Sequence, residues 1–249
     1  MQWRARPGEP PRNPKDTELR LFCFAHAGGG ASVFRNWQRV MPPSIEVYGM
    51  VLPGREKRFQ EPPQKSVEAL APALAEAIVQ FGHGKIALFG HSLGGILAFE
   101  VARLLAEKYK IRPAHLVIAA VAAPQFLPPA LQLHQIANDA EFIEALRHFG
   151  GLQGDVLAVP ELLEVLMPVL RADIEAFERY ACANTFKIPW PLSVFGGQSD
   201  TTLKPEELMG WQEHAEGPFV LELMPGDHFF TQSAERALLE RLSQLLLSV

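Results

Sequence analysis

Short apolar runs alternate with segments of helical periodicity along almost all of this 249-residue chain. "LRLFCFA" (19–25), "IEVYGMVL" (45–52), "KIALFG" (85–90), "HLVIAAVA" (115–122), "LSVFGG" (192–197) and "FVLELM" (219–224) read as strands. Their Val, Ile, Leu and Phe fall on successive positions, which is the pattern of a strand buried on both faces. The intervening segments carry the 3.6-residue period. One helix begins near Ser32 and includes Phe34, Trp37 and Val40. Another spans 66–81 with Ser66 as N-cap and Pro72 near its start; others cover 93–109, the region near 205–214, and 234–247. Strands that alternate with helices and tolerate no wet face predict an α/β fold: a mostly parallel sheet covered by helices on both faces.

One interval departs from this rhythm. Residues 125–187 separate two consecutive strands, far more than an ordinary connection needs. Within it "DAEFIEALRHFG" (139–150) and "PELLEVLMPVLRADIEAFERYA" (160–181) have helical period, so an inserted helical lid at one end of the sheet is expected. The polar, proline-rich residues 1–18 read as a flexible arm, and 19–249 as one domain that contains the lid. A net charge of −5 offers nothing to nucleic acid, and no run of eighteen apolar residues exists to span a membrane. The N-terminus has no apolar core of a signal peptide, and the two cysteines, Cys23 and Cys182, read as reduced buried thiols. A monomeric, cytoplasmic protein is expected.

Chemistry enters at "GHSLG" (90–94), which joins the third strand to the next helix. It fits G-x-S-x-G, a tight strand-to-helix turn that leaves the serine hydroxyl at its tip. Ser92 is the candidate nucleophile. A serine needs a base, and the base needs a carboxylate to orient it. Of eight histidines, His228 follows the last strand through "MPGDH", at the edge where strand ends collect. Of six aspartates, Asp200 follows "VFGGQS" beyond a strand end, whereas Asp139, Asp155 and Asp173 fall in the insertion and Asp227 adjoins His228. The order Ser92, Asp200, His228 is that of α/β-hydrolases. The glycine run in "FAHAGGG" (24–30) is followed by neither the third glycine of a dinucleotide turn nor the lysine of a P-loop. It reads instead as an oxyanion loop, with the backbone N–H groups of Ala27 and Leu93 as donors.

"FAHAGGGASVFRNW", "LPGREKR", "LFGHSLGG", "FIEALRHFGG", "VLRADIEAFERY", "FGGQSD" and "PGDHFF" together resemble the type II thioesterases. These are discrete editing enzymes of polyketide and nonribosomal peptide synthesis, and the resemblance covers residues 19–247. It implies an α/β-hydrolase fold with Ser92, Asp200 and His228 as the triad. It also implies hydrolysis of acyl groups from the phosphopantetheine arm of acyl or peptidyl carrier proteins, with no metal or cofactor. Under this reading Leu162, Leu166, Leu170 and Phe177 roof the acyl pocket. The basic stretch with Arg55, Lys57 and Arg58 offers a docking surface for acidic carrier proteins. A medium-chain thioesterase of fatty acid synthesis, a general carboxylesterase and a non-catalytic receptor remain open as alternatives.

Overall fold

A computed structural model describes residues 17–81, 84–127, 132–148, 160–182 and 186–248. Six strands, β1 (Leu19–Phe24), β2 (Ile45–Gly49), β3 (Lys85–His91), β4 (His115–Ala119), β5 (Leu192–Gly197) and β6 (Phe219–Met224), form one sheet in the order β2-β1-β3-β4-β5-β6. Every pairing in it is parallel, so the fold class read from the sequence holds. The chain winds outward from β1 to β2, then returns past β1 to build β3 to β6 in the other direction. Connections leaving β1 and β3 therefore part to opposite faces, and a crevice opens at the carboxyl ends of these two neighbours.

Alternation within each strand builds two cores. Phe22, Phe24, Leu88, Leu116, Ile118 and Val194 face α2 (Val67–Val79) and α3 (Leu93–Glu107). Leu21, Cys23, Phe89, Val117 and Phe195 point the other way, against Phe34, Trp37 and the stripe Leu238, Leu239, Leu242 and Leu246 of the last helix, Glu235–Leu247. The period of two sends successive side chains to opposite faces, and both faces are dry. Ser66 caps α2 through its hydroxyl, which accepts the Ala69 N–H at 3.2 Å.

Several boundaries differ from the sequence reading. The helix expected from Ser32 is split into a 3-10 turn, Ala31–Phe34, and one turn of α-helix, α1 (Trp37–Val40). Strands β2 and β4 end at Gly49 and Ala119 although the chain beyond them stays apolar and buried; after β4 the backbone leaves the extended conformation at Ala120, φ 50°. Of the expected arm, residues 1–16 lie outside the described residues, and Glu18 is already tied to the Ser44 carbonyl at 2.9 Å. Neither Cys23 nor Cys182 is in a disulfide, and Cys182 is only half-buried.

Between β4 and β5 lie α4 (Asp139–His148) and α5 (Pro160–Glu178). They share a small core of Leu133, Phe142, Leu146, Met167 and Leu170. The Arg171 guanidinium sits 4.3 Å over the Phe142 ring and its Nη2 donates to Asp139 Oδ1 at 2.6 Å, fastening one helix to the other.

Candidate active site

The turn from β3 into α3 holds Ser92 at φ 56° and ψ −122°, a conformation that side chains rarely adopt. The surroundings impose it. Ser92 N–H donates to the Ala119 carbonyl at 2.8 Å, and its carbonyl accepts Gly95 N–H at 2.8 Å. A Cβ on Gly90 would stand 2.0 Å from the Gly94 carbonyl oxygen, and one on Gly94 would stand 2.1 Å from that of Phe24. Only glycine at both positions lets the helix start this close to the strands. Ser92 then precedes the first helical residue, Leu93, whose N–H is among the amides that have no partner within the helix.

Beyond β5 and β6 the two loops are stitched together. Gln198 N–H donates to the Met224 carbonyl at 2.8 Å and Ser199 N–H to that of Gly226 at 2.9 Å. This brings Asp200 to His228, whose Nδ1–H donates to Asp200 Oδ2 at 2.9 Å. The other oxygen, Oδ1, accepts the Thr202 hydroxyl at 2.6 Å and the Thr202 N–H at 2.9 Å. Burial opposes ionisation of Asp200, but the bond and charge of His228 and the two bonds from Thr202 outweigh it and hold the carboxyl below its ordinary range. With Nδ1 carrying the proton, the lone pair of the His228 ring lies on Nε2. The Asp227 side chain is engaged elsewhere, accepting Phe229 N–H at 2.9 Å.

Two further histidines pack beside His228. His91 donates from Nε2 to the His228 carbonyl at 2.8 Å and accepts the Thr231 hydroxyl at Nδ1 at 3.3 Å. His26 donates from Nδ1 to the Ala27 carbonyl at 3.0 Å, and its ring lies 5.3 Å from that of His91. Burial, then the neighbouring His26 and His228, push His91 well below the usual histidine value. It is 1% exposed and stays neutral in the folded state.

A pH dependence follows. An unfolded histidine takes up a proton below about pH 6.5, whereas native His91 does not, so stability present above that value is lost as pH falls. His91→Gln keeps a donor for the His228 carbonyl and removes the titration. Urea midpoints at about pH 5 and about pH 7 should differ less for the variant than for the wild type. Equal differences would mean that the native ring does take up the proton.

His26, Ala27, Ser92, Leu93 and His228 line one cavity of about 170 Å³, completed by Val121, Leu127, Leu146, Ile174, Phe177 and Leu203 among others. Its wall is mainly apolar. Ser92, His228, Ala27 and Leu93 thus meet where the fold parts its connections, with Asp200 behind the histidine. No cluster of three or more His, Cys, Asp or Glu suited to a metal occurs among the described residues. No helix among them is long and apolar enough to cross a membrane.

The other sequence expectations fare unevenly. Phe177 is in the cavity wall, but Leu166 and Leu170 are not. Leu170 packs into the core of the lid. All three share one stripe of α5, and only the last turns of that stripe, with Ile174 and Phe177, reach the cavity. The Leu162 side chain lies outside the described residues. Of the proposed basic surface, Lys57 is exposed, while Arg58 is largely covered and bonded to Glu61 at 2.7 Å. Arg55 is no surface cation: it is 5% exposed and paired with Asp173 of the lid at 2.7 Å. Asp173, set aside in the sequence reading as part of the insertion, reaches the loop after β1 through Gly28 N–H at 2.8 Å.

A family model of the thioesterase domain matches residues 19–246. The gramicidin S biosynthesis protein GrsT of Aneurinibacillus migulanus is 35% identical over 229 residues, covering 92% of this chain and 89% of that protein. Thioesterase PikA5 of Streptomyces venezuelae is 34% identical over 233 residues, covering 93% and 82%. Among solved structures, the type II thioesterase BorB from the borrelidin biosynthetic cluster superposes with a TM-score of 0.86 at 31% identity, covering 94% of each chain. A match across the whole sheet, the lid and the last helix is more than a shared fold, and this chain belongs to the thioesterase family, hydrolases that act on thioesters.

Proposed function

We propose that this chain is a type II thioesterase that clears acyl groups from the phosphopantetheine thiol of acyl or peptidyl carrier proteins in polyketide or nonribosomal peptide synthesis. Ser92 is the nucleophile, His228 the base and Asp200 the residue that orients it. The observation that carries this reading is one apolar cavity walled by both Ser92 and His228, with the histidine held in its Nδ1–H form by Asp200. Ser92 Oγ attacks the thioester carbonyl while Nε2 of His228 takes the hydroxyl proton. The oxyanion is received by the N–H groups of Ala27 and Leu93, the latter at the positive end of α3. As the C–S bond breaks, His228 returns the proton to the departing sulfur and the thiol leaves. Water attacks the acyl-serine with His228 again as base, and the free acid departs from a regenerated serine. No redox step arises, and none of these transfers calls on a cofactor.

The cavity is smaller than the roughly 300–1,000 Å³ of sites that hold drug-sized ligands, so acyl groups of modest size suit it. The lid supplies its roof through Leu146, Ile174 and Phe177. Ile174→Trp should cut kcat/KM for the longest accepted acyl chain by about tenfold or more while sparing the acetyl thioester, because one added ring fills much of the space. Leu166→Trp should leave the chain-length profile unaltered. Identical profiles for Ile174→Trp and wild type would remove the lid from the pocket.

Lys57 remains the exposed cation of the segment assigned to carrier docking. The deciding measurement sets a panel of acylated carrier proteins against the same acyl groups on coenzyme A and on simple alcohols. Higher kcat/KM for the carrier-bound forms is the expected result. A preference for the alcohol esters would point to a carboxylesterase. Action alongside a synthase places the protein in the cytoplasm and, by itself, asks for no second copy of the chain.

A further inference from the structure

A buried ion pair holds the loop after β1 to the lid. Arg55 is 5% exposed and Asp173 1%. They meet through two parallel bonds, Nη2–H to Oδ1 at 2.7 Å and Nη1–H to Oδ2 at 2.8 Å. Both partners also grip the loop backbone. Asp173 Oδ2 accepts Gly28 N–H at 2.8 Å, and Arg55 Nη1 donates to the Gly29 carbonyl at 2.8 Å. The lid touches the same loop once more through Leu170, whose Cδ1 would lie 3.1 Å from a Cβ on Gly28, a residue at φ +75°.

We propose that Arg55 and Asp173 are positioning residues for thioester hydrolysis: they clamp the Ala27–Gly29 backbone to α5 and so aim the Ala27 N–H at the oxyanion. The proposal rests on the reading of Ala27 as an oxyanion donor. Its physical basis is the freedom of the glycines. Three in succession give the backbone a wide choice of φ and ψ, which the loop's own bonds, Gly29 N–H to the His26 carbonyl at 2.9 Å and His26 Nδ1–H to the Ala27 carbonyl at 3.0 Å, narrow without tying the loop to the rest of the molecule. The Gly28 N–H belongs to the peptide unit that follows Ala27, so fixing its direction limits the rotation of Ala27 and of the N–H before it. A bidentate guanidinium–carboxylate pair fixes angle as well as distance, which a lone lysine or a water would not. Donors aimed in advance matter most where charge appears only in the transition state.

The arrangement also makes the lid and the oxyanion loop one body near Asp173. The last turns of α5 cannot swing away without breaking three bonds at Asp173, two of them inside the buried ion pair. Opening is therefore confined to parts of the lid before this point, where Pro168 already removes one backbone donor from the helix.

The test uses Asp173→Asn and Arg55→Lys in the full-length protein, with circular dichroism to establish folding. With a simple acyl thioester, each should lose about ten- to a hundredfold in kcat while KM stays within about threefold, because the lost interaction acts in the transition state. The discriminating measurement is inhibition by an alkylboronic acid, which forms a tetrahedral adduct on the serine, against inhibition by the matching carboxylic acid. Positioning predicts that the boronate weakens about tenfold while the carboxylic acid does not. The proposal is overturned if both inhibitors weaken together, if kcat stays within about threefold of wild type, or if neither variant accumulates as folded protein. A Ser92→Ala protein that still hydrolyses the thioester would refute the underlying reading instead. An inactive Ser92→Ala with unchanged boronate selectivity in the clamp variants would refute the clamp alone.

Discussion

Ser92→Ala is expected to lower kcat for thioester hydrolysis roughly ten-thousand-fold or more, with little change in stability. The serine occupies a strained positive-φ conformation that its neighbours impose through the Ala119 and Gly95 bonds, neither of which involves the hydroxyl. Alanine adopts that backbone at a similar cost, so the elbow persists and the melting temperature should hold within a few degrees. What disappears is the only proposed group that can form the acyl-enzyme; the oxyanion donors and the pocket stay and can still bind substrate. Release of free thiol from an acyl thioester, followed with a thiol reagent, checks this directly. A variant that retains a tenth of the wild-type rate would end the covalent mechanism.

Asp173→Ala is expected to destabilise the protein by about 3–5 kcal/mol, because it strands the Arg55 guanidinium inside the molecule without a counter-charge. For a chain of this size, each kcal/mol moves the midpoint by about 2–4 °C, so thermal unfolding should begin roughly 6–20 °C lower. The Gly28 N–H loses its acceptor as well. The double variant Arg55→Met with Asp173→Leu should regain much of the loss, since a buried pair replaced by apolar side chains of similar volume is often neutral in stability. Thermal melts of the single and double variants decide the matter. If the single change shifts the midpoint by less than about 2 °C, water reaches the guanidinium and the pair is not a buried strut.

The sheet was legible because its signal is local and repeated. Strands buried on both faces need apolar residues at consecutive positions, as in "LRLFCF" and "HLVIA", and their shortness and β-branched and aromatic content separate them from a buried helix. The elbow was equally legible, since a strand, a glycine-flanked serine and a helix follow one another directly in the chain. Asp200 and His228 could be selected because both stand just beyond strand ends, and parallel strands deliver those ends to one edge.

The lid was legible in part. Periodicity identified the stripe of α5, including Leu166, Leu170 and Phe177, because a helix repeats its face every 3.6 residues. It could not tell which turns of the stripe overhang the cavity, since translation along a helix leaves the period unchanged. Arg55 and Asp173 show the deeper limit. "GREKR" looks like a solvated charge run, and its first arginine turns inward only because a carboxylate 118 positions away meets it. One local clue to Asp173 does exist. Val169, Leu170, Ala172 and Ala176 are all buried around it, and a charge in such company needs a partner. The clue does not name the partner.

What the sequence alone determined is the class of fold, the turn that presents Ser92 and the strand ends that carry Asp200 and His228, because each depends on neighbours within a few residues. The tertiary structure decided the depth of the pocket, the bonds that tie the glycine loop after β1 to Arg55 and Asp173, and the burial of Arg55. These depend on surfaces brought together from distant parts of the chain, and their energies arise from desolvation and packing that exist only once the sheet has closed against its helices.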